Sequence, residues 1–319
     1  MTTRSPGCPA STAPPEHPEE NRHMSTNGTT VAVIGLGIMG APMAVNLVKA
    51  GYDVIGYNRS AAKVEALVGQ GGRGAADVAE AVSAADVVLT MLPDSPDVEA
   101  VLLGEDGVLA HARSGALWVD ASTIRPDVAV RLAEAAGEKG VRAVDAPVSG
   151  GEAGAIEAAL SIMVGGAEAD VEAARPVLDA VGSTVVHVGP AGAGQTVKAA
   201  NQLIVAGTIG LVAEALNFVE AHGVDGEAAV QVLAGGLAGN RILDRKATGM
   251  LAREFAPGFR VDLHHKDLGI VTSAAREAGV AIPLGSTAAQ LMGTLRARGH
   301  GSLDHSALML LIAELSGRS

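Results

Sequence analysis

The sequence predicts an α/β domain with a doubly wound, mostly parallel sheet, followed by an all-α domain. Three observations carry this reading. From Thr30 to Val188, short β-branched runs alternate with Ala-rich amphipathic runs, the pattern of successive βαβ units. After Gly189 the strand pattern stops and apolar residues fall at helical spacing, as in Leu308, Leu311, Ile312 and Leu315. The 319 residues give room for about two such domains.

Taken in order, residues 1–28 hold five of the 14 prolines and no periodic apolar pattern, so they read as a disordered extension. They lack the apolar core of an export signal, and Met24 is an alternative start. The single cysteine, Cys8, cannot pair internally, which fits a reducing, cytoplasmic setting. Strands are expected at 31–34, 53–57, 87–91, 117–120, 143–145, 161–164 and 184–188, with helices such as 42–50, 61–68 and 126–138 between them. Several of these strands are apolar throughout, as expected where helices cover both faces. The domains are therefore 29–190 and 191–319.

The second domain opens on a helical stretch, 193–222, with almost no polar face between Leu203 and Ala213. A helix apolar all round must be buried, here between domains or between subunits, so a homodimer or homotetramer is expected. Its least polar part is 11 residues, too short to span a membrane.

Composition excludes several function classes. The net charge of -12, from 23 Lys+Arg against 35 Asp+Glu, argues against nucleic acid or anionic membrane as partner. Aromatic residues make up 2%, too few for base-stacking platforms, so the interior must be packed with Ala, Val, Leu and Ile. His264-His265 with Asp267 invites a metal reading. Adjacent helical residues point about 100° apart, however, so no two-ligand face forms and no metal is expected.

Four segments carry chemistry. Gly35-Leu36-Gly37-Ile38-Met39-Gly40 lies between the first strand and a helix, where glycines let backbone N–H groups and the helix dipole hold a pyrophosphate. That is the context of a Rossmann dinucleotide site. At the end of the second strand, Tyr57-Asn58-Arg59-Ser60 offers no carboxylate for a ribose 2′-hydroxyl. Arg59 either pairs with the 2′-phosphate of NADP, assisted by Asn58 and Ser60, or stands solvated with adenine stacked on its guanidinium. NADP or NAD is the expected cofactor, with NADP favoured. Asp120 to Pro126 follows a strand end where open sheets bind ligands, and Ser149-Gly150-Gly151 exposes backbone N–H groups fit for a carboxylate. In the fourth segment, 192–202, Lys198 and Asn201 are three apart and share a helix face. Lys198 either exchanges protons near neutral pH, its pKa lowered by burial, or snorkels to solvent.

Together these segments, GLGIMG, DASTIRP, DAPVSGG and GAGQTVKAANQ, resemble the signatures of the β-hydroxyacid dehydrogenases, relatives of 6-phosphogluconate dehydrogenase. The resemblance covers residues 30 to 319 and implies a C-terminal domain of the 6-phosphogluconate dehydrogenase type. FAPGF at 255–259, LHHKDL at 263–268 and LDHSAL at 303–308 are similar to the tartronate semialdehyde reductase branch of that family. The resemblance implies a small hydroxyacid or semialdehyde substrate, tartronate semialdehyde before 3-hydroxyisobutyrate. It implies Lys198 as general acid/base and Asn201 as a substrate-orienting amide. Ser122, Ser149, Gly150, Gly151 and Asp267 match substrate contacts, while Leu92, Pro93, Thr123 and Lys266 match cofactor contacts. Gln202 stands where many relatives have a second asparagine. Imine reductases and non-catalytic binding modules share the two-domain plan, and Lys198 with Ser122 and Asn201 argues against both.

Overall fold

The computed structural model describes Met1 and residues 28–318, so the disorder expected of the N-terminal extension, with Cys8, lies outside the described residues. Nine strands form one sheet. They are β1 (Thr30–Ile34), β2 (Asp53–Tyr57), β3 (Arg73–Gly74), β4 (Val87–Thr90), β5 (Leu117–Asp120), β6 (Arg142–Asp145), β7 (Val148–Ser149), β8 (Leu160–Gly166) and β9 (Gly182–Gly189). The order β3-β2-β1-β4-β5-β6 is parallel throughout. β8 then runs antiparallel to β6 and β7, and β9 pairs parallel with β8. The strand order reverses between β1 and β4, which opens the ligand crevice of a doubly wound sheet.

The helices of this half are α1 (Gly40–Lys49), α2 (Ala61–Val68), α3 (Val78–Ser83), α4 (Ser95–Leu103), α5 (Val108–His111), α6 (Pro126–Glu138), α7 (Gly151–Ile156) and α8 (Glu168–Asp179). They bury both faces of the sheet. Val31 and Val33 of β1 join one core with Leu47 and Leu178, while Ala32 and Ile34 join the opposite core with Leu102 and Leu132. Side chains alternate along a strand, so two covered faces require the unbroken apolar run seen in the sequence. α2 and α6 match the sequence expectation residue for residue. The two-residue strands β3 and β7 escaped it because two residues have no measurable period.

The second half contains α9 (Ala193–Ala221), α10 (Gly226–Ala234), α11 (Arg241–Ala252), α12 (Val261–Glu277), α13 (Pro283–Leu295) and α14 (Leu308–Leu315). α9 is the spine, packing against α11, α12, α13 and α14 and against β8. Ala206, Ile209, Ala213 and Leu216 form its core contacts with Leu268, Met292 and Leu308. By length and composition α9 could cross a membrane, although only its Leu203 to Ala213 stretch stood out in the sequence. Four packed helices around it account for part of that apolarity. Ile204, Leu211 and Phe218 are 68%, 67% and 66% exposed, so within one chain α9 is covered on part of its circumference only.

Candidate active site

At the crevice, Gly35 adopts φ +102° and lies against the Met91 carbonyl, where a Cβ would collide. Gly40 is held equally close to the Gly35 carbonyl, which seats the start of α1 on the turn. Gly37 faces open space, leaving its backbone free to approach a phosphate. Asn58 accepts a hydrogen bond from Leu36 N–H at 3.1 Å and so fixes the turn to the end of β2. Beside it lies a hollow of about 410 Å³ lined by Tyr57, Asn58, Arg59, Val64, Ala75 and others. Arg59 is exposed and has no hydrogen bond or ion pair among the described residues. A glycine turn with an open face, next to a hollow edged by a free guanidinium, fits a dinucleotide.

On the substrate side, Asp145 at the end of β6 accepts from the N–H groups of Gly192 at 2.7 Å and Gln195 at 2.9 Å, tying the sheet to the first turn of α9. Gln195 in turn donates to the Ser122 carbonyl at 2.8 Å and accepts from Ile124 N–H at 3.1 Å. These bonds fix where Lys198, one turn on, projects. Lys198 is buried, not snorkelling: 7% is exposed. Its ammonium donates to the Val148 carbonyl at 2.8 Å and to Gln202 Oε1 at 3.1 Å. Burial lowers its pKa to about 8, helped by the Lys266 charge and opposed by Asp267. Asn201 donates to the same Gln202 oxygen at 2.9 Å and accepts from the Ser149 hydroxyl at 3.2 Å. Gln202 Nε2 donates to Asp267 Oδ2 at 2.5 Å. Lys266 pairs with Asp267 Oδ1 at 2.8 Å and donates to the Thr123 carbonyl at 2.6 Å, so α12 reaches back across the cleft.

Six of the expected residues thus converge: Lys198, Asn201, Ser149, Thr123, Lys266 and Asp267. Two residues expected to contact substrate, Ser122 and Asp267, are enclosed by the protein's own groups. Ser122 is fully buried, its hydroxyl accepting from Leu92 N–H at 2.9 Å and bonding the Asp120 carboxyl, so it shapes the Leu92-Pro93 loop. Asp267 is 2% exposed beneath Gln202 and Lys266, so it orients those two side chains. Gly150 and Gly151 lie accessible beside Ser149. Sequence reasoning missed the positioning amide Gln195 and gave Gln202, noted only at a place where many relatives have asparagine, no role. For Gln195 the signal was an amide at a buried-face position of an apolar helix.

The segments 255–259 and 303–308 meet under this network. Asp304 Oδ2 accepts from the N–H groups of Gly258 at 2.9 Å and Phe259 at 3.1 Å, and from Lys246 at 2.8 Å. Burial raises its pKa, but the Lys246 ammonium and the Ser306 hydrogen bond outweigh this and hold the carboxylate ionised. His305 Nδ1 lies 3.0 Å from His264 Nδ1, and His264 Nε2 lies 3.4 Å from the Gln202 carbonyl. Phe259 packs on both imidazoles and so pins its loop.

Two family models match the chain. Residues 30–189 match the NAD binding domain of 6-phosphogluconate dehydrogenase, and residues 192–312 match the NAD-binding of NADP-dependent 3-hydroxyisobutyrate dehydrogenase. The 2-hydroxy-3-oxopropionate reductase of Escherichia coli (strain K12) is 42% identical over 276 residues, 86% of this chain and 94% of that protein. The 2-(hydroxymethyl)glutarate dehydrogenase of Eubacterium barkeri is 37% identical over 290 residues, 91% of this chain and 96% of that protein. Among solved structures, 3-hydroxyisobutyrate dehydrogenase of Mycobacterium tuberculosis with L-serine superposes with a TM-score of 0.80 at 36% identity, covering 89% of this chain and 99% of that one.

Proposed function

The chain belongs to the β-hydroxyacid dehydrogenase family, NAD(P)-dependent oxidoreductases acting on CH–OH groups, and we propose that its reaction is reduction of tartronate semialdehyde to D-glycerate. The observation that carries the chemistry is Lys198, a buried ammonium poised near pH 8 and aimed by Gln202. The Escherichia coli relative and the 303–308 segment support the substrate. Gly35 to Gly40, Asn58, Arg59, Ser60, Leu92, Pro93, Thr123 and Lys266 would hold NAD(P)H, which supplies a hydride to the aldehyde carbon. Lys198 gives its proton to the aldehyde oxygen as that oxygen gains charge, and takes it back in the reverse direction. Asn201 and Ser149 orient the substrate, and the buried floor around Lys198 keeps bulk water from the proton. The single cysteine supports a reducing, cytoplasmic setting.

A steady-state panel of tartronate, methylmalonate and succinate semialdehydes with NADH and NADPH tests this. The highest kcat/KM is expected for tartronate semialdehyde with NADPH. A preference for methylmalonate semialdehyde replaces the reading with a 3-hydroxyisobutyrate dehydrogenase. The free guanidinium at Arg59 supports the NADPH preference. Arg59→Asp is expected to raise KM for NADPH about 10- to 100-fold, the scale of a lost charge-assisted pair, and to spare NADH. Equal effects on the two cofactors would remove Arg59 from the discrimination.

The exposed face of α9 supports homo-oligomerisation. Val197, Ile204, Leu211 and Phe218 recur every seven residues and are 38%, 68%, 67% and 66% exposed. Such a stripe on one helix suits the same stripe on a second copy of the chain. Sedimentation at micromolar concentration is expected to give a dimer or tetramer, and Leu211→Asp to shift it toward monomer. A wild-type monomer would exclude the assembly.

A further inference from the structure

We propose that Arg245 is a specificity-determining residue that pairs with the substrate carboxylate at the Ser149-Gly150-Gly151 turn. The inference rests on the hydroxyacid reading above and names which charge recognises the acid. From α11, in the helical domain, Arg245 reaches across the cleft, and its Nη1 donates to the Gly150 carbonyl at 3.2 Å. The side chain is exposed, and no carboxylate pairs with it among the described residues. A guanidinium has five N–H donors in a planar fork that matches a carboxylate, and one bond to Gly150 leaves most of that fork free.

The neighbouring cations are already committed. Lys266 is paired with Asp267 and bonded to the Thr123 carbonyl. Lys246 is held by both oxygens of Asp304. Lys198 is buried on Val148 and Gln202, where its proton serves the reacting oxygen. The Ser122 hydroxyl is turned inward onto Leu92 and Asp120. A carboxylate seated beside Ser149, whose hydroxyl is oriented by Asn201, therefore finds Arg245 as its unpaired positive partner. In a chain of net charge -12, such a local cation also counters repulsion of an anionic substrate.

The test compares wild type with Arg245→Ala and Arg245→Lys, using an acidic aldehyde (tartronate semialdehyde) and a neutral one of similar size (glyceraldehyde). Arg245→Ala is expected to raise KM for the acidic aldehyde about 10- to 100-fold, with kcat within a few-fold and kcat/KM for the neutral aldehyde unchanged. Arg245→Lys should recover part of the loss, since it restores the charge but not the fork. Equal losses on both aldehydes, or no loss, overturn the proposal and leave Arg245 as a clasp between domains. Calorimetric binding of D-glycerate to the holoenzyme gives a reading independent of turnover. Affinity weakened about 10-fold or more in Arg245→Ala supports the pairing, and affinity equal to wild type refutes it. A wild type that reduces none of the semialdehydes refutes the substrate reading alone, because the glycerate measurement still decides on Arg245.

Discussion

Lys198→Ala is expected to lower kcat at least about 100-fold while leaving the affinity for NAD(P)H close to wild type, the usual scale for loss of a general acid/base. The split follows from position. Lys198 is anchored to Val148 and Gln202 on the substrate side, whereas the glycine turn and the Tyr57 to Ala76 hollow lie at the ends of β1 and β2. The pH profile has a determined sign. Lys198 must carry its proton to act as an acid, so reduction should fall as pH rises through about 8. Oxidation of the hydroxyacid needs the neutral amine and should rise over the same interval. Cofactor binding by fluorescence and steady-state rates check both halves. Turnover retained in Lys198→Ala would take the residue out of the mechanism.

Asp304→Ala is expected to cost about 3–5 kcal/mol of stability, the range for removing one partner of a buried, hydrogen-bonded ion pair. The carboxylate is 2% exposed and accepts from Lys246, Gly258, Phe259 and Ser306 at once. Its removal strands an ammonium and several N–H groups and frees the 255–259 loop from the chain end. The loss should also reach the site, because Asp304 adjoins His305, His305 adjoins His264, and His264 meets the Gln202 carbonyl. Urea unfolding followed by circular dichroism measures the effect, and a loss under 1 kcal/mol would contradict it.

Acid should act on the same cluster. Burial holds the pKa of His264 down to about 4 and that of His305 to about 3. Both are neutral in the fold, so the unfolded chain takes up protons first as pH falls below about 6.5, and stability is lost from there downward. The depressed carboxyl of Asp304 loses stability in the same direction at lower pH. Asp120, raised to about 6 by burial, works the other way and gains stability as pH falls from 6 toward 4.

The 303–308 segment shows how a motif and its role can separate. In the sequence it was a family marker without a mechanism. In the fold its aspartate ties down the 255–259 loop and its histidine lies three contacts from Lys198, through His264 and Gln202.

The sequence by itself determined the fold class, the phosphate turn and the shared face of Lys198 and Asn201. Each rests on a local period or spacing, and β1 with its glycine turn, or one turn of α9, already contains the needed geometry. The tertiary structure alone decided that Ser122 turns inward and that Gln202 carries Lys198 and Asn201 onto Asp267, 65 residues away. It alone brought Arg245 to Gly150, 95 residues apart, and left one face of α9 uncovered. These are distances set by how α9 packs on the sheet and how α11 and α12 pack on α9, and no periodicity along a single element encodes a distance between two.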